Sequence, residues 1–184
     1  MSRFLLITVF SALIYGAFFF LNNYLFGRFE FSSGVNWVYL PSGLRLLLVL
    51  VWGEFAALGI ALTSACLMVF FYPVGTALDV VVTALISGGS PVLARFISFN
   101  TLKWNVSLSD QSPMTLLKLG VMFALISATL HQIWFNWIGR SDDFIRGVAA
   151  MWTGDILGTL ILLYSFRWMI FAADALRKDP SVGD

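Results

Sequence analysis

The chain has too little charge to make a water-facing surface: Asp, Glu, Lys and Arg make up 11% of its 184 residues, against 59% hydrophobic residues. Soluble domains carry roughly 25% charged residues, so a soluble globular fold is excluded. The net charge of +1 and the scattered basic residues offer no continuous basic face, which excludes nucleic acid as a partner. A single cysteine, Cys66, rules out an intramolecular disulfide, and without a Cys-x-x-Cys pair there is no redox or zinc motif. Cys66 reads as a small buried apolar residue. His131 is the only histidine, and no second carboxylate stands at ligand spacing from it, so neither a metal nor a cofactor is expected.

What the chain has is long apolar runs. A helix needs about 20 apolar residues to cross the hydrocarbon core, and the runs lack the alternation of a membrane β-barrel. The fold class expected is all-α, a polytopic transmembrane bundle. Six spans are read: Phe4 to Phe26, Val35 to Trp52, Phe55 to Tyr72, Thr76 to Ile97, Thr115 to Ile138, and Val148 to Phe171. Residues 1–172 then form one integral membrane domain and 173–184 a short cytoplasmic tail, and the longest connection runs from Ser98 to Pro113. The first run is long for a signal peptide and has no small-residue cleavage site, so it is expected to be retained.

Lysine and arginine set the orientation. Six spans put Arg3, Arg95, Lys103, Lys118, Arg167, Arg177 and Lys178 on the side of both termini, and Arg28, Arg140 and Arg146 on the other. Both termini are therefore expected in the cytoplasm, with membrane lipids as the constant partner.

Two spans carry helix-breaking residues, Pro41-Ser42-Gly43 in the second and Ser87-Gly88-Gly89-Ser90-Pro91 in the fourth. Proline removes a backbone donor and glycine weakens a helix, so breaks are expected there, inside the bundle, where non-helical backbone is tolerated. Pro and Gly that merely kink helices for packing are the alternative. Gly154 with Gly158, and Ala12 with Gly16, are small residues at the spacing of close helix contacts.

The informative residues are the ionisable ones inside the apolar runs. A charge in the bilayer costs about 3 kcal/mol on insertion scales, so it persists where something pairs with it or uses it. At ~1.5 Å per residue, Asp155 and His131 lie roughly 10 Å from the outer ends of their spans, Arg45 roughly 15 Å and Asp79 roughly 5 Å. Four helices thus bring a charge or an imidazole to the same half of the membrane. Arg45 is the natural partner of Asp155, because its guanidinium stays charged and can hold a carboxylate with two donors. The pair either pins helix register or leaves Arg45 to receive a small polar or anionic ligand. Ser42 and Trp152 fall beside it in sequence, with Asn36, Trp37, Tyr39 and Trp134 near by. His131 is either a packing residue or a proton switch. A carboxylate dyad of Asp79 and Asp155 lacks the first glycine of the Gly-x-Gly-Asp pattern of intramembrane aspartyl proteases, and Ser42 with His131 lacks a serine-hydrolase context. No enzymatic activity is expected.

Pro41-Ser42-Gly43-Leu44, then Gly53, then Leu58-Gly59-Ile60-Ala61-Leu62, together with Trp152-x-Gly154-Asp155-x-x-Gly158, resemble the MASE1 integral membrane sensory domain of bacteria over about Asn36 to Tyr164. The resemblance implies a sensory module of the bacterial inner membrane, in which Pro41, Gly43, Trp152, Gly154 and Asp155 are the matching positions. Leu40 stands where that family commonly has a second proline, and Arg45 where it has an apolar residue. That family feeds attached cyclases, phosphodiesterases or kinases. Here no output domain follows Asp184, so a partner membrane or signalling protein is expected to receive the signal. Two other functions fit the size and span number. One is a solute-binding subunit like those of energy-coupling-factor transporters, docking through Ala12 and Gly16. The other is a structural subunit of a larger membrane complex.

Overall fold

Proline at the second position of a helix costs nothing, because the donor it lacks would have no partner there. In the computed structural model, which describes residues 2–32, 34–72, 76–101, 113–141 and 143–178, Pro41 occupies that place in the helix Leu40–Trp52. The described residues form six helices: α1 (Arg3–Phe26), α2 (Leu40–Trp52), α3 (Glu54–Phe71), α4 (Ala77–Phe96), α5 (Pro113–Trp137) and α6 (Phe144–Lys178). A 3-10 turn (Gly27–Phe29) and a two-stranded antiparallel hairpin, β1 (Glu30–Ser32) with β2 (Val35–Asn36), join α1 to α2. Short connections make sequential helices antiparallel neighbours, so the hairpin lies at the end of the bundle where α1, α3 and α5 finish.

Five helices are long and apolar enough to cross a membrane, whereas α2 is not. Its 13 residues rise about 20 Å, short of the ~30 Å core. The expected break in the second span is therefore the start of α2: Val35 to Tyr39 is extended backbone, and the helix begins only at Leu40. Donors here and in the first turn of α2 find partners. Trp37 N–H donates to Phe29 O (3.0 Å), Tyr39 N–H to Gly154 O (3.0 Å), Leu40 N–H to Asn22 Oδ1 (2.9 Å) and Ser42 N–H to Tyr39 O (3.1 Å). This is the condition for non-helical backbone at membrane depth.

The expected break in the fourth span does not occur. α4 runs unbroken through Ser87 to Pro91, and only beyond Phe96 does it loosen into a π-helical turn (Ile97–Thr101). Gly88 is needed for contact instead: a methyl group there would meet the Ala57 carbonyl oxygen and Ala61 of α3. Ser90 donates back to Ile86 O, a bond often seen where a proline follows.

α2 touches all five other helices and is buried on nearly every side, including Ser42, Gly43 and Arg45. A helix apolar all round belongs in the middle of a bundle. At its far end Gly53 turns the chain into α3 with φ +62, and the Arg95 guanidinium lies against it. Gly59 lets α3 approach the Thr8 carbonyl of α1. Ala12 and Gly16 face α3 as well: Thr63 donates to Ala12 O at 2.9 Å, and its methyl lies over Gly16. Gly154 and Gly158 also pack closely, but against extended backbone and not against a helix. A methyl group on either would overlap the carbonyl oxygen of Asn36 or Tyr39 respectively.

Large apolar side chains cover the outside: Leu13 is 70% exposed, Phe70 75% and Trp137 82%. Cys66 is exposed on the same apolar face of α3, not buried as the sequence suggested. In lipid, facing outward exposes a small thiol to hydrocarbon and not to water, so nothing drives it inward. α6 runs from Phe144 to Lys178, beyond the expected end of its span at Phe171. The connection expected from Ser98 to Pro113 lies, from 102 to 112, outside the described residues. So do residues 179–184 of the expected tail and Lys103 of the charge count.

Candidate functional site

Every fourth or third residue of α1 from Thr8 to Asn22 turns inward: Thr8, Ser11, Tyr15, Phe19 and Asn22 are its buried residues. That stripe is mostly polar in an otherwise apolar helix, and two of its residues, Tyr15 and Phe19, form one wall of a partly open cavity of about 70 Å³ at the hairpin end. The other walls are Gly34, Asn36 and Tyr39 of the hairpin and its exit, Arg45 of α2, Ser64, Leu67, Met68 and Tyr72 of α3, Thr83 and Ser87 of α4, His131 and Phe135 of α5, Arg140, and Met151 of α6. By volume it holds a handful of water-sized groups.

Arg45 is 1% exposed and reaches this cavity from the central helix. Its guanidinium carbon lies 5.6 Å from the Tyr39 ring centre and 5.4 Å from that of Phe123, both within cation–π range. Both of its polar contacts use one nitrogen: Nη2 is 3.6 Å from Asp155 Oδ2 and donates to Ser127 Oγ at 3.4 Å. Arg45 Nε and both Asp155 carboxylate oxygens, all buried, have no hydrogen-bond partner among the described residues. Ser42 is buried beside them with its hydroxyl also unpartnered. The expected Arg45–Asp155 pairing is thus present, as a long one-nitrogen contact and not a bidentate clamp.

His131 lies next to this pair on the cavity wall. The Ser127 carbonyl can only accept, so Nδ1, 2.8 Å away, carries the proton. In the neutral ring Nε2 then accepts from Ser87 Oγ at 3.3 Å. Beside Arg45 the Tyr15 and Tyr39 hydroxyls share a hydrogen bond of 3.2 Å, and Ser64 donates to Tyr15 at 3.5 Å.

Asp79 joins a second pair and not the Arg45 cluster. It stands in the first turn of α4, where a carboxylate complements the helix dipole. Arg140 Nη1 is 3.6 Å from Asp79 Oδ2, while Trp134 Nε1 and the Thr83 hydroxyl donate to Oδ1 at 2.8 and 3.1 Å. Arg140 also lies over the rings of Phe135 (4.6 Å) and Tyr72 (5.8 Å). Trp152 stands away from the cavity, half-buried, with Nε1 donating to Val121 O at 3.5 Å. Among the described residues no three His, Cys, Asp or Glu side chains come together in a way that holds a metal.

The sequence reading placed Arg45, Asp155, His131 and Asp79 at one level and missed Arg140, Tyr15, Ser87 and Ser127. Arg140 reads as a loop charge until the fold turns it back over the cavity. The polar stripe of α1 was the available signal for Tyr15, and the four-residue spacing from Ser127 to His131 was the signal for Ser127.

The arrangement has a direction. Arg45 and Arg140 line the cavity, and neither Asp155 nor Asp79 does. The cations face the lumen and their counter-charges are set into the walls, which makes the lumen favourable to negative charge.

An all-helical bundle with five helices fit to cross a bilayer, an apolar exterior and a polar cavity at one end defines a polytopic membrane protein. Comparison with protein-family models, with curated proteins and with solved structures finds no match for the chain.

Proposed function

We propose that the protein is a non-enzymatic membrane module, similar in plan to a MASE1 sensory domain, that takes a small polar ligand in the hairpin-end cavity and acts through a partner membrane protein. The observation that carries this reading is Arg45. A guanidinium buried at the centre of the bundle, facing a cavity with its Nε unpartnered, is costly to keep unless something uses it. The second support is mechanical. Asp155, the partner of Arg45, stands on α6, whose 35 residues rise about 52 Å and so outrun the ~30 Å core. One continuous helix thus joins the cavity wall to the far side of the membrane, where a partner receives the change. The Lys and Arg distribution favours the cytoplasm for that far side and both termini, with the cavity opening outward, and the MASE1 resemblance favours a bacterial inner membrane.

The transport-subunit alternative needs a docking stripe at Ala12 and Gly16, and α3 takes up that stripe within the chain. Purification from native membranes in mild detergent tests the proposal, with wild type compared against Arg45→Gln. The expected result is a co-purifying membrane protein whose association or output changes in the variant. A protein that purifies alone, and whose deletion alters no complex and no signalling output, overturns it.

A further inference from the structure

Among the described residues the cavity is lined by two guanidinium groups, Arg45 and Arg140, and by no carboxylate. Arg45 presents its guanidinium with Nε unpartnered, while Asp155 and Ser127 both contact the same Nη2 at 3.6 and 3.4 Å. Both therefore load the nitrogen that the Nε edge shares, while the guanidinium lines the lumen, and Arg is the side chain whose planar fork fits two oxygens at once. The Tyr15 and Tyr39 hydroxyls stand on the adjoining wall, and Arg140 lines the same lumen. Asp155 holds the guanidinium loosely by comparison, through one contact of 3.6 Å.

Resting on the ligand-cavity reading above, we infer that the ligand is a small oxyanion, a carboxylate or phosphate group of a few heavy atoms, seated on the Arg45 guanidinium with Asp155 as its built-in competitor for it. The volume of about 70 Å³ admits the charged group and little more, so a larger molecule enters by that group alone. The same chemistry is supplied by a free solute or by a phospholipid headgroup. Binding draws the Arg45 fork toward the lumen and weakens its hold on α6 through Asp155. A stronger ligand and a freer α6 are therefore one event, which is what a sensor needs.

The test measures unfolding temperature by intrinsic tryptophan fluorescence in a non-ionic detergent at constant ionic strength. Acetate and inorganic phosphate are titrated in one arm, and phosphatidylglycerol in mixed micelles is added in the other. Stabilisation that rises with probe concentration reports binding to the folded state. Wild type is expected to be stabilised in at least one arm, and the responding arm identifies the source. Asp155→Asn removes the competitor and is expected to bind about tenfold more tightly, a change of about 1.4 kcal/mol. Arg45→Gln is expected to lose the response. Should Arg45→Gln not fold, Tyr39→Phe keeps the ring under the guanidinium, removes one hydroxyl, and is expected to bind about tenfold more weakly. Glycerol and choline serve as neutral and cationic probes. A response to either of these that Tyr39→Phe weakens, with none to acetate, phosphate or phosphatidylglycerol, overturns the oxyanion and leaves the ligand cavity standing. Silence to every probe overturns both. Weaker oxyanion binding in Asp155→Asn overturns the competitor role.

Discussion

Arg45 and Asp155, on the central helix and the last helix, meet through a single nitrogen at 3.6 Å with almost no exposure to solvent. In so dry a place the pair is worth less than its charge suggests, because both ions have lost their water and the contact is long. Removing one partner is nevertheless expensive, since the other charge stays buried alone.

A double-mutant cycle separates the two statements. Asp155→Asn is expected to destabilise the fold by about 3 kcal/mol, because Arg45 keeps only Ser127 and its two aromatic rings. Arg45→Gln together with Asp155→Asn removes both charges and is expected to recover at least ~1 kcal/mol of that loss. Unfolding free energies in bicelles measure both. Additive losses in the double variant mean that the two charges do not interact across this contact.

Glycine substitutions test the close approach of extended backbone to α6. Gly158→Ala places a methyl group into the Tyr39 carbonyl oxygen, and Gly154→Ala does the same at Asn36. Neither backbone can retreat, because Tyr39 N–H is tied to Gly154 O and β2 to β1. Each is expected to cost about 3 kcal/mol or more. Gly89→Ala has open space around it and replaces a poor helix former, so it is expected to stabilise by up to about 1 kcal/mol. Thermal unfolding of the three purified variants ranks them.

Periodicity and burial logic made the helices and the level of the charged residues legible, because a residue costly in lipid advertises itself in any apolar run. Arg45, Asp79, His131 and Asp155 were visible on that ground alone. What the sequence could not separate is a helix break from a helix start. Pro41 and Pro91 look alike in one dimension, yet Pro41 sits in the first turn of α2 and Pro91 inside an intact α4. The difference lies in neighbours: Asn22 and Gly154 supply partners for an unwound stretch before Pro41, while α4 continues through Pro91 with Gly88 packed against Ala57. Pairing was also hidden, since Arg140, just after Gly139 at φ +70, is brought to Asp79 only by the fold.

Cys66 lies on the lipid-facing side of α3, five residues before Phe71. A nitroxide attached to it and returned to bilayers is expected to collide with oxygen far more often than with a water-soluble nickel chelate, as a residue about 8 Å inside the span should. Power-saturation spectroscopy reads the two rates. Higher nickel accessibility places α3 against water and overturns the assignment of that face to lipid.

The Asp79 carboxylate gathers Trp134, Thr83 and Arg140 at the mouth of the cavity, and Trp134 makes the shortest of these contacts at 2.8 Å. Trp134→Phe deletes that donor and keeps most of the ring, so the loss is close to that of one hydrogen bond to a charged acceptor, about 2 kcal/mol. The carboxylate retains Thr83 and Arg140, which limits the damage to this corner. Asp79→Asn acts differently, because it also releases Arg140, whose remaining ring contacts with Phe135 and Tyr72 do not fix it against a charge. Arg140 lines the lumen, where it can meet a negative group. Trp134→Phe is therefore expected to lower the unfolding temperature with little change in phosphate binding, whereas Asp79→Asn lowers it and raises phosphate affinity. Equal phosphate affinity in Asp79→Asn and wild type means that Arg140 takes no part in drawing anions to the cavity.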